Sequence, residues 1–367
     1  MEGLEALVAL TLVEGLGPVT IRRLVRRFGS PAAALEADRG EIAAVDGIGP
    51  LLAARIAEAR PRAEARREIE RALAAGAAIV PYTDPAYPAP LAEIYDPPVL
   101  LYVKGAFAPE DRHAIAVVGA RRCSLYGAAQ AERLAGQIAA VGMTVASGMA
   151  RGIDTAAHRG ALKARGRTIA VLGSGICRIY PPENRGLAEE IAASGAVISE
   201  FPPSMGPQRL NFPLRNRVLS GLSLGVLVVE AAGRSGSLIT AAQALEQGRL
   251  VFALPGRVDS ITSRGTHALL KDGARLVESV EDICAELPYL FPPRAPAAAA
   301  GGPAPPRPRL TPEEEAVLAQ LGPEERAIDE ITASCALPPA AVASALLSLE
   351  LKHLANQLPG KMFRKPC

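Results

Sequence analysis

The sequence contains no tryptophan and few aromatic residues of any kind. Among its 367 residues there are seven Tyr and seven Phe, so aromatic residues make up 4% of the chain. Any stacking of this protein on nucleobases must therefore rest on very few rings. The formal net charge is only +2, so the chain as a whole does not attract a polyanion. A phosphate-binding surface would have to come from local clusters of Arg and Lys.

Cysteine, histidine and long apolar runs are also scarce. The five Cys are odd in number and show no CxxC spacing, and the four His are scattered along the chain. This spacing argues against a disulfide framework and against a zinc site. No run approaches the roughly 18 apolar residues of a membrane span, and the first residues lack the features of a signal peptide. We therefore expect a cytoplasmic protein with no metal, no cofactor and no membrane contact.

Three segments repeat one arrangement, in which an apolar strand is followed by a Gly-containing turn, basic residues and a helix start. They are IAVVGARRCSLYG (115–127), the stretch from MTVA into SGMARGIDTAAHRGALKARGR (143–167), and VLVVEAAGRSGSLITAAQALEQGR (226–249). A single turn of this kind is a weak signal, because a plain strand-to-helix connection with a solvated basic helix face accounts for it better than a binding site does. Three of them in one parallel sheet would meet at its carboxyl edge, where such sheets bind ligands.

These turns predict a phosphate site made of backbone N–H groups and arginines. A further basic cluster, FPPSMGPQRLNFPLRNRVLSGLS (201–223), follows the end of another strand. Its Phe212 either stacks on a base or packs the loop against the sheet, and the sequence leaves both open. The residues that we predict to bind nucleic acid are Gly119, Arg121, Arg122, Ser147, Gly148, Arg151, Lys163, Arg209, Phe212, Arg215, Asn216, Arg217, Gly236 and Ser237.

Residues 1–65 predict a small helical domain with two similar hairpins. EGLGPVTIRRLVRRFGS (14–30) and DGIGPLLAARIAEARP (46–61) each place a GxGP turn before a helix, as in the helix-hairpin-helix or SAM-like module. Such turns can present N–H groups to phosphate, and the first helix carries Arg22, Arg23, Arg26 and Arg27. A packing role in a protein-interaction module is equally compatible with this pattern.

Residues 77–290 alternate strands and helices, which predicts an α/β fold with a Rossmann-like parallel sheet and a lead-in extension (77–105) joined to its edge. The chain lacks both GxGxxG and GxxxxGK[ST], so a nicotinamide dehydrogenase and a P-loop ATPase are disfavoured. A Pro/Ala/Gly linker is expected at 291–309. Residues 310–367 predict a winged-helix domain, whose third helix is nearly free of Lys and Arg and is therefore a doubtful reader of the major groove.

Taken together, GARRCSLYG, SGMARGIDTAAHRGAL, FPLRNRVLSGLS and VVEAAGRSGSLITAA resemble the bacterial DNA-processing protein A family (DprA/Smf). The resemblance implies a homodimer that binds and protects incoming single-stranded DNA and loads a RecA-type recombinase onto it during natural transformation. It also implies phosphate contacts by Arg121 and base stacking by Phe212. One departure is GAR where GSR is commoner, which removes a hydroxyl near the expected phosphate.

Two other functions stay open at this point. The turn GRSGSLITA is distantly similar to that of Rossmann-type nucleotide phosphoribohydrolases, but it lacks the PGG and the acidic pair of their signature. We expect no enzyme activity, with Asp154 capping a helix and Glu230 bonding turn amides rather than acting as catalytic carboxylates. In a third interpretation the end domains do the work and the sheet is only a scaffold.

Overall fold

The computed structural model describes residues 2–58, 63–291, 310–322, 326–352, 354–358 and 362–365. The chain divides into two compact units, residues 1–293 and 294–367, and each is described by itself. The predicted linker falls almost entirely outside the described residues. The predicted boundaries of the helical and sheet domains, at 65 and 77, stay predictions.

Helices make up the start of the first unit. They are α1 (Glu2–Thr11), α2 (Pro18–Phe28), α3 (Pro31–Glu36), α4 (Arg39–Ala43), α5 (Pro50–Glu58) and α6 (Ala63–Ala74). Both GxGP turns precede a helix that begins at the proline, α2 and α5, because a first-turn proline has no N–H to satisfy. Helix α2 ends at Gly29, which adopts a left-handed conformation and donates its N–H to Val25.

A nine-stranded sheet forms the rest of the described part of this unit. Its strands are β1 (Ala77–Pro81), β2 (Leu100–Gly105), β3 (Ala114–Val118), β4 (Thr144–Ser147), β5 (Thr168–Val171), β6 (Ala196–Ser199), β7 (Ser223–Val228), β8 (Leu250–Ala253) and β9 (Arg275–Leu276). The helices that follow them are α7 (Ala89–Ala92), α8 (Leu125–Ala140), α9 (Ile153–Lys163), α10 (Arg185–Ser194), α11 (Asn211–Gly221), α12 (Gly236–Glu246), α13 (Arg264–Lys271) and α14 (Val280–Ala285).

The strands lie in the order β1-β2-β6-β5-β4-β3-β7-β8-β9. From β6 to β9 all neighbours are parallel, whereas β1 and β2 are antiparallel to each other and β2 is antiparallel to β6. The lead-in extension therefore joins the sheet edge as predicted, and makes the sheet mixed. The sequence pattern did not reveal β9, which is two residues long and exposed.

The order of the strands reverses at β3. The chain runs from β3 outward through β4, β5 and β6, and then crosses back to place β7 on the other side of β3. Strand β3 is buried along its whole length, since helices cover both faces of a parallel sheet. The turns after β3 and β7 consequently diverge, which opens a crevice at the carboxyl edge of the sheet.

The second unit has the helix order and hairpin predicted for a winged helix. It contains α15 (Pro312–Ala319), β10 (Arg326–Ala327), α16 (Ile328–Ser334), α17 (Pro339–Leu351), β11 (Asn356–Leu358) and β12 (Met362–Arg364). The three short strands pair in the order β10-β12-β11. Val317, Ile331, Leu346 and Phe363 are buried together and form its core.

Candidate functional site

A cleft of about 400 Å³ lies in the crevice between β3 and β7. The turn after β3 supplies one wall, the turn between β7 and α12 supplies the opposite wall, and the start of α11 closes a third side. The predicted residues Gly119, Arg121 and Arg122 lie in the first wall, and Gly236 and Ser237 lie in the second. The strand order thus brings together turns that are more than 100 residues apart in the chain.

Three arginines line this cleft with exposed side chains, Arg121, Arg122 and Arg234. Within the described residues, none of the three forms an ion pair with a carboxylate. They therefore concentrate positive charge beside the helix starts of α8 and α12. The arrangement is suited to bind an anion with several negative charges.

The ring of Phe212 supports one of these arginines. The Arg121 guanidinium lies 4.9 Å from the ring centroid, and the Tyr180 ring lies 6.0 Å away at a tilt of 55°. The backbone of Gly173 packs against the same ring so closely that a Cβ there would lie 2.7 Å from a ring carbon. Phe212 is half-buried, so it packs the loop against the sheet and at the same time holds Arg121 at the mouth of the cleft. Base stacking by this ring stays a prediction.

Two buried charged side chains, Arg215 and Asp154, underlie the cleft. Arg215 is 4% exposed and donates to the carbonyl oxygens of Gly148 and Val171. Asp154 is 5% exposed and accepts a hydrogen bond from the N–H of Ala150 at 3.3 Å. A Cβ on Gly148 would lie 2.7 Å from the Arg215 guanidinium, so that position has no room for a side chain.

Burial shifts the pKa values of Asp154 and Arg215 in opposite directions. Desolvation raises the pKa of Asp154 to about 6, although the Arg215 charge acts against the rise. Desolvation lowers the pKa of Arg215 to about 10, which leaves it charged at neutral pH. Asp154 lies at the start of α9 but bonds the preceding turn, and the N-cap of this helix is Gly152, without a side-chain cap. The expected capping by Asp154 is therefore wrong in detail.

Glu230 anchors the start of α8, as expected of a carboxylate that bonds turn amides. Its two oxygens accept from the N–H of Ser124 at 2.9 Å and from the Ser124 hydroxyl at 2.5 Å. The same hydroxyl accepts from the N–H of Gly127 at 2.9 Å. Both carboxylates beside the turns thus face inward and stabilise backbone.

Several predicted residues have internal partners. The hydroxyl of Ser147 donates to the Val117 carbonyl at 2.6 Å. Arg217 is buried, with an ion pair to Glu200 and a hydrogen bond of 2.7 Å to the Asp96 carbonyl. Asn216 accepts from Arg215 Nε at 3.2 Å and donates to the Gly236 carbonyl at 3.4 Å. These contacts position the cleft walls and leave little for a ligand.

The remaining predicted residues lie outside the cleft. Arg151 is exposed beside it in a smaller cavity of about 160 Å³ and forms an ion pair with Glu183. Lys163 lies at the opposite end of α9 and is paired with Glu132 at 3.1 Å, so the structure does not bring it together with the cleft. Arg209 is exposed in the segment that leads into α11.

Two residues that contribute to the site, Arg234 and Glu68, were not predicted from the sequence. Arg234 lies in the third of the repeated segments (226–249) but is not among the predicted binding residues, because a turn sequence gives no sign of which side chains project into a cleft. Glu68, on α6, is 2% exposed and accepts from the N–H and hydroxyl of Ser204 at 2.9 and 2.6 Å. It ties the helical region to the segment that carries Arg209 and Phe212, a contact over 136 positions that no local pattern signals.

The turns of the N-terminal hairpins are arranged differently. Arg23 donates to the Asp46 carbonyl at 3.1 Å and lies 2.7 Å from its carboxylate. Arg55 likewise donates to the Glu14 carbonyl at 3.1 Å. Each hairpin helix therefore sends an arginine onto the other hairpin's turn, which favours the packing interpretation for these two residues.

Within the described residues, no group of three or more His, Cys, Asp or Glu is placed to hold a metal ion. In the same part of the chain no single helix is long and apolar enough to cross a membrane. One bent pair, Ile328–Ser334 with Pro339–Glu350, passes that test by length and composition.

Comparison with known proteins identifies relatives of all three regions. Family models match residues 78–288 (DNA recombination-mediator protein A), 301–361 (DprA winged helix domain) and 7–60 (SAM-like helix-hairpin-helix tandem). The protein Smf of Synechocystis is 34% identical over 98% of this chain and 98% of its own.

Two solved structures are also similar. The X-ray structure of DNA processing protein A from Streptococcus pneumoniae has a TM-score of 0.69 at 36% identity and covers 78% of this chain and 99% of that one. DNA processing protein A from Helicobacter pylori, whose structure concerns a single-stranded DNA binding mode, has a TM-score of 0.50 at 30% identity and covers 55% of this chain and 92% of that one. With one model matching more than half of its residues and a relative matched over 98% of both sequences, this chain belongs to the DNA recombination-mediator protein A family.

Proposed function

We propose that this protein binds single-stranded DNA across the cleft at the carboxyl edge of its sheet. The observation that carries the proposal is the set of three exposed arginines, Arg121, Arg122 and Arg234, which lack carboxylate partners in the described part of the chain while the nearby carboxylates face inward. The single-stranded DNA binding mode described for the Helicobacter pylori relative supports it.

In this proposal the arginines and the turn amides of Gly119 and Gly236 neutralise successive backbone phosphates. Arg121 has a fixed orientation because Phe212 lies under it, so little rotamer freedom is lost when a strand binds. A base can stack on the outer face of Arg121 or, if that side chain moves, on Phe212, at roughly 1–3 kcal/mol per base. Because no base edge is read, binding is insensitive to sequence and falls steeply with salt.

The other predicted residues divide into two groups in the proposal. Arg151 and Arg209 extend the basic surface along the path of the strand. The buried or internally bonded residues act by positioning the walls, and they are Ser147, Gly148, Arg215, Asn216, Arg217 and Ser237. Lys163 has no part in the cleft.

The biological role in the proposal rests on the family. The protein protects incoming single strands in the cytoplasm, acts as a homodimer, and loads a RecA-type recombinase onto the DNA during natural transformation. Two clefts in a dimer would hold two segments of DNA and raise the apparent affinity by avidity. The test is filament assembly by the recombinase on an oligonucleotide covered by a single-strand-binding protein, with and without this chain.

The binding site is tested by fluorescence anisotropy of a labelled deoxythymidine oligonucleotide at about 50 and 200 mM salt. The variant is Arg121→Glu with Arg122→Glu. We expect at least about a hundred-fold weaker binding, because two phosphate contacts become repulsions. Phe212→Ala, which frees Arg121, should weaken binding about five-fold or more.

The matched control is Arg26→Glu with Arg27→Glu, which reverses the charge of two exposed side chains of α2. It carries the same change of net charge, and we expect it to retain most of the affinity. Equal losses in both double variants would move the site away from the cleft, and an unaffected cleft variant would assign it to the hairpins or the winged helix.

One observation favours a second candidate function. Asp154 lines the cleft, and its pKa, raised by burial to about 6, is in the range of a general acid or base. A nucleotide phosphoribohydrolase would release free base from a nucleoside monophosphate, and Asp154→Asn would abolish that release. Its bonds to the turn beneath Arg215 support the structural role instead.

A further inference from the structure

An apolar pocket lies away from the cleft, between α2 and the carboxyl end of β1. It encloses about 400 Å³. Leu7, Ile21, Val25 and Val99 contribute apolar walls, and Tyr82 lies at one side. None of the residues assigned to the DNA cleft lines it. The pocket is large enough for one or two apolar side chains of a bound peptide.

The rim of this pocket is positively charged. The Arg22 guanidinium lies over the Tyr82 ring at 5.1 Å from its centroid, and Arg26 is exposed. In the described residues neither arginine has a carboxylate partner, whereas Arg23, between them on the same helix, is paired with Asp46. The pocket thus combines an apolar interior with two uncompensated charges on one side.

We propose that this pocket is a docking site for an acidic peptide segment that carries an apolar side chain. The apolar side chain would fill the space beside Val25, and the carboxylates would pair with Arg22 and Arg26. The charge complementarity commits the site to a negatively charged occupant, and the apolar walls distinguish a peptide from a nucleic-acid strand.

DNA fits the pocket less well because the nearby hairpin turns are not free to hold a phosphate. Arg23 and Arg55 already bind these turns, by donating hydrogen bonds to the carbonyl oxygens of Asp46 and Glu14. The family's nucleic-acid contacts thus do not extend to this surface in our proposal.

A simpler role for Arg26 is interaction with the helix end. Arg26 and Arg27 both lie in the last turn of α2, which ends at Gly29, and basic residues there stabilise the exposed carbonyls. Arg27 shares this position and its exposure but does not line the pocket. It is therefore the matched control.

The experiment uses the full chain and a fluorescein-labelled peptide of five aspartates followed by Leu-Phe, with anisotropy as the readout. We expect saturable binding, weakened about ten-fold by Arg26→Glu and less than about two-fold by Arg27→Glu. A peptide that ends in Gly-Ser should bind much more weakly. Both variants should bind the deoxythymidine oligonucleotide as the wild type does, so failure here is separable from failure of the DNA proposal.

Three results would overturn the proposal. They are no binding of the Leu-Phe peptide, equal losses in the two variants, and displacement of the peptide by the oligonucleotide with parallel loss of oligonucleotide affinity in Arg26→Glu. The second result assigns the arginines to the helix end, and the third makes this surface part of the DNA path.

Discussion

The chain uses one local pattern, a Gly-containing turn, arginines and a helix start, in two regions with opposite results. In the N-terminal hairpins, Arg23 and Arg55 each bond the turn of the other hairpin through Asp46 and Glu14. At the sheet edge, Arg121 and Arg122 follow a similar turn and have no carboxylate partner among the described residues. The comparison shows that the number of arginines near a turn does not decide whether they are free to bind a ligand.

The position of the nearby carboxylates decides whether these arginines are free to bind a ligand. In the hairpins the acidic residues lie in the turns themselves and are 87% and 88% exposed, so they meet the arginines at the surface. At the sheet edge Asp154 and Glu230 are about 5% exposed and bond backbone N–H groups. Turning the carboxylates inward both rigidifies the walls and leaves the outer arginines uncompensated.

The largest expected effect is on the free energy of unfolding. It should distinguish Arg215, which is buried and bonded to backbone carbonyls (a held arginine), from the exposed arginines without carboxylate partners (free arginines). Arg215→Met should lower the free energy of unfolding by about 3–5 kcal/mol, because it leaves buried carbonyls unpaired and Asp154 uncompensated. The measurement is urea unfolding followed by circular dichroism. Arg122→Met, at an exposed position, should change stability by less than about 0.5 kcal/mol. Similar losses in the two variants would remove the distinction between held and free arginines.

Acid should act on the sheet domain through His158, in the middle of α9 and beside the starts of β4 and β5. This side chain is buried, and its Nδ1 lies 2.7 Å from the Thr168 hydroxyl, which itself donates to the Val145 carbonyl. Nδ1 is therefore the protonated nitrogen. Desolvation lowers the pKa of His158 to about 3, from 6.5. Between these values the unfolded chain binds a proton that the folded chain does not, so stability falls as pH falls.

From pH 7 to pH 5 this linkage costs about 2 kcal/mol. His158→Gln should remove that part of the acid sensitivity, measured by urea unfolding at the two pH values. Asp154 acts with the opposite sign, since its raised pKa makes the folded chain bind the extra proton, and Asp154→Asn should therefore increase the net loss on acidification. An unchanged pH dependence in His158→Gln would contradict the assignment.

The smallest expected effect is on oligonucleotide affinity and concerns Arg151, which shares features with both groups of arginines. It lies beside the cleft like the free arginines, yet it is paired with Glu183 like those of the hairpins, and both side chains are about half exposed. Asn184 holds the Glu183 segment onto the turn by donating to the Met149 carbonyl and the Thr155 hydroxyl, both at 2.9 Å. A strand phosphate would have to replace the Glu183 carboxylate.

Glu183→Gln should therefore tighten oligonucleotide binding by about two- to five-fold, the range set by an exposed ion pair. The slope of log affinity against log salt should steepen by about 0.7, as expected of one more phosphate contact to a single strand. Glu132→Gln, which frees Lys163 at the far end of α9, is the matched control for net charge. If both variants tighten binding alike, Arg151 contributes no contact of its own.

The sequence by itself determined the three regions, the order of their elements and the identity of the turns. Apolar β-branched strands alternating with helices specify a parallel sheet locally, and GxGP before a helix specifies a hairpin start, so α2, α5, β3, β4 and β7 follow from short-range patterns. The motifs of the turns were also sufficient to suggest the family. These features depend on residues that are neighbours in the chain.

Only the tertiary structure decided which of the predicted side chains are available. Arg215 and Arg217 belong to the same basic segment as Phe212, yet their partners include Gly148, Val171 and Asp96, which lie at least 44 positions away in sequence. Lys163 lies at the far end of α9 from the turn after β4, which was the reason for predicting it. Glu68 bonds Ser204, which is 136 positions away in the chain. Charge pairing and burial depend on which elements the strand crossover brings together, and no local pattern encodes that.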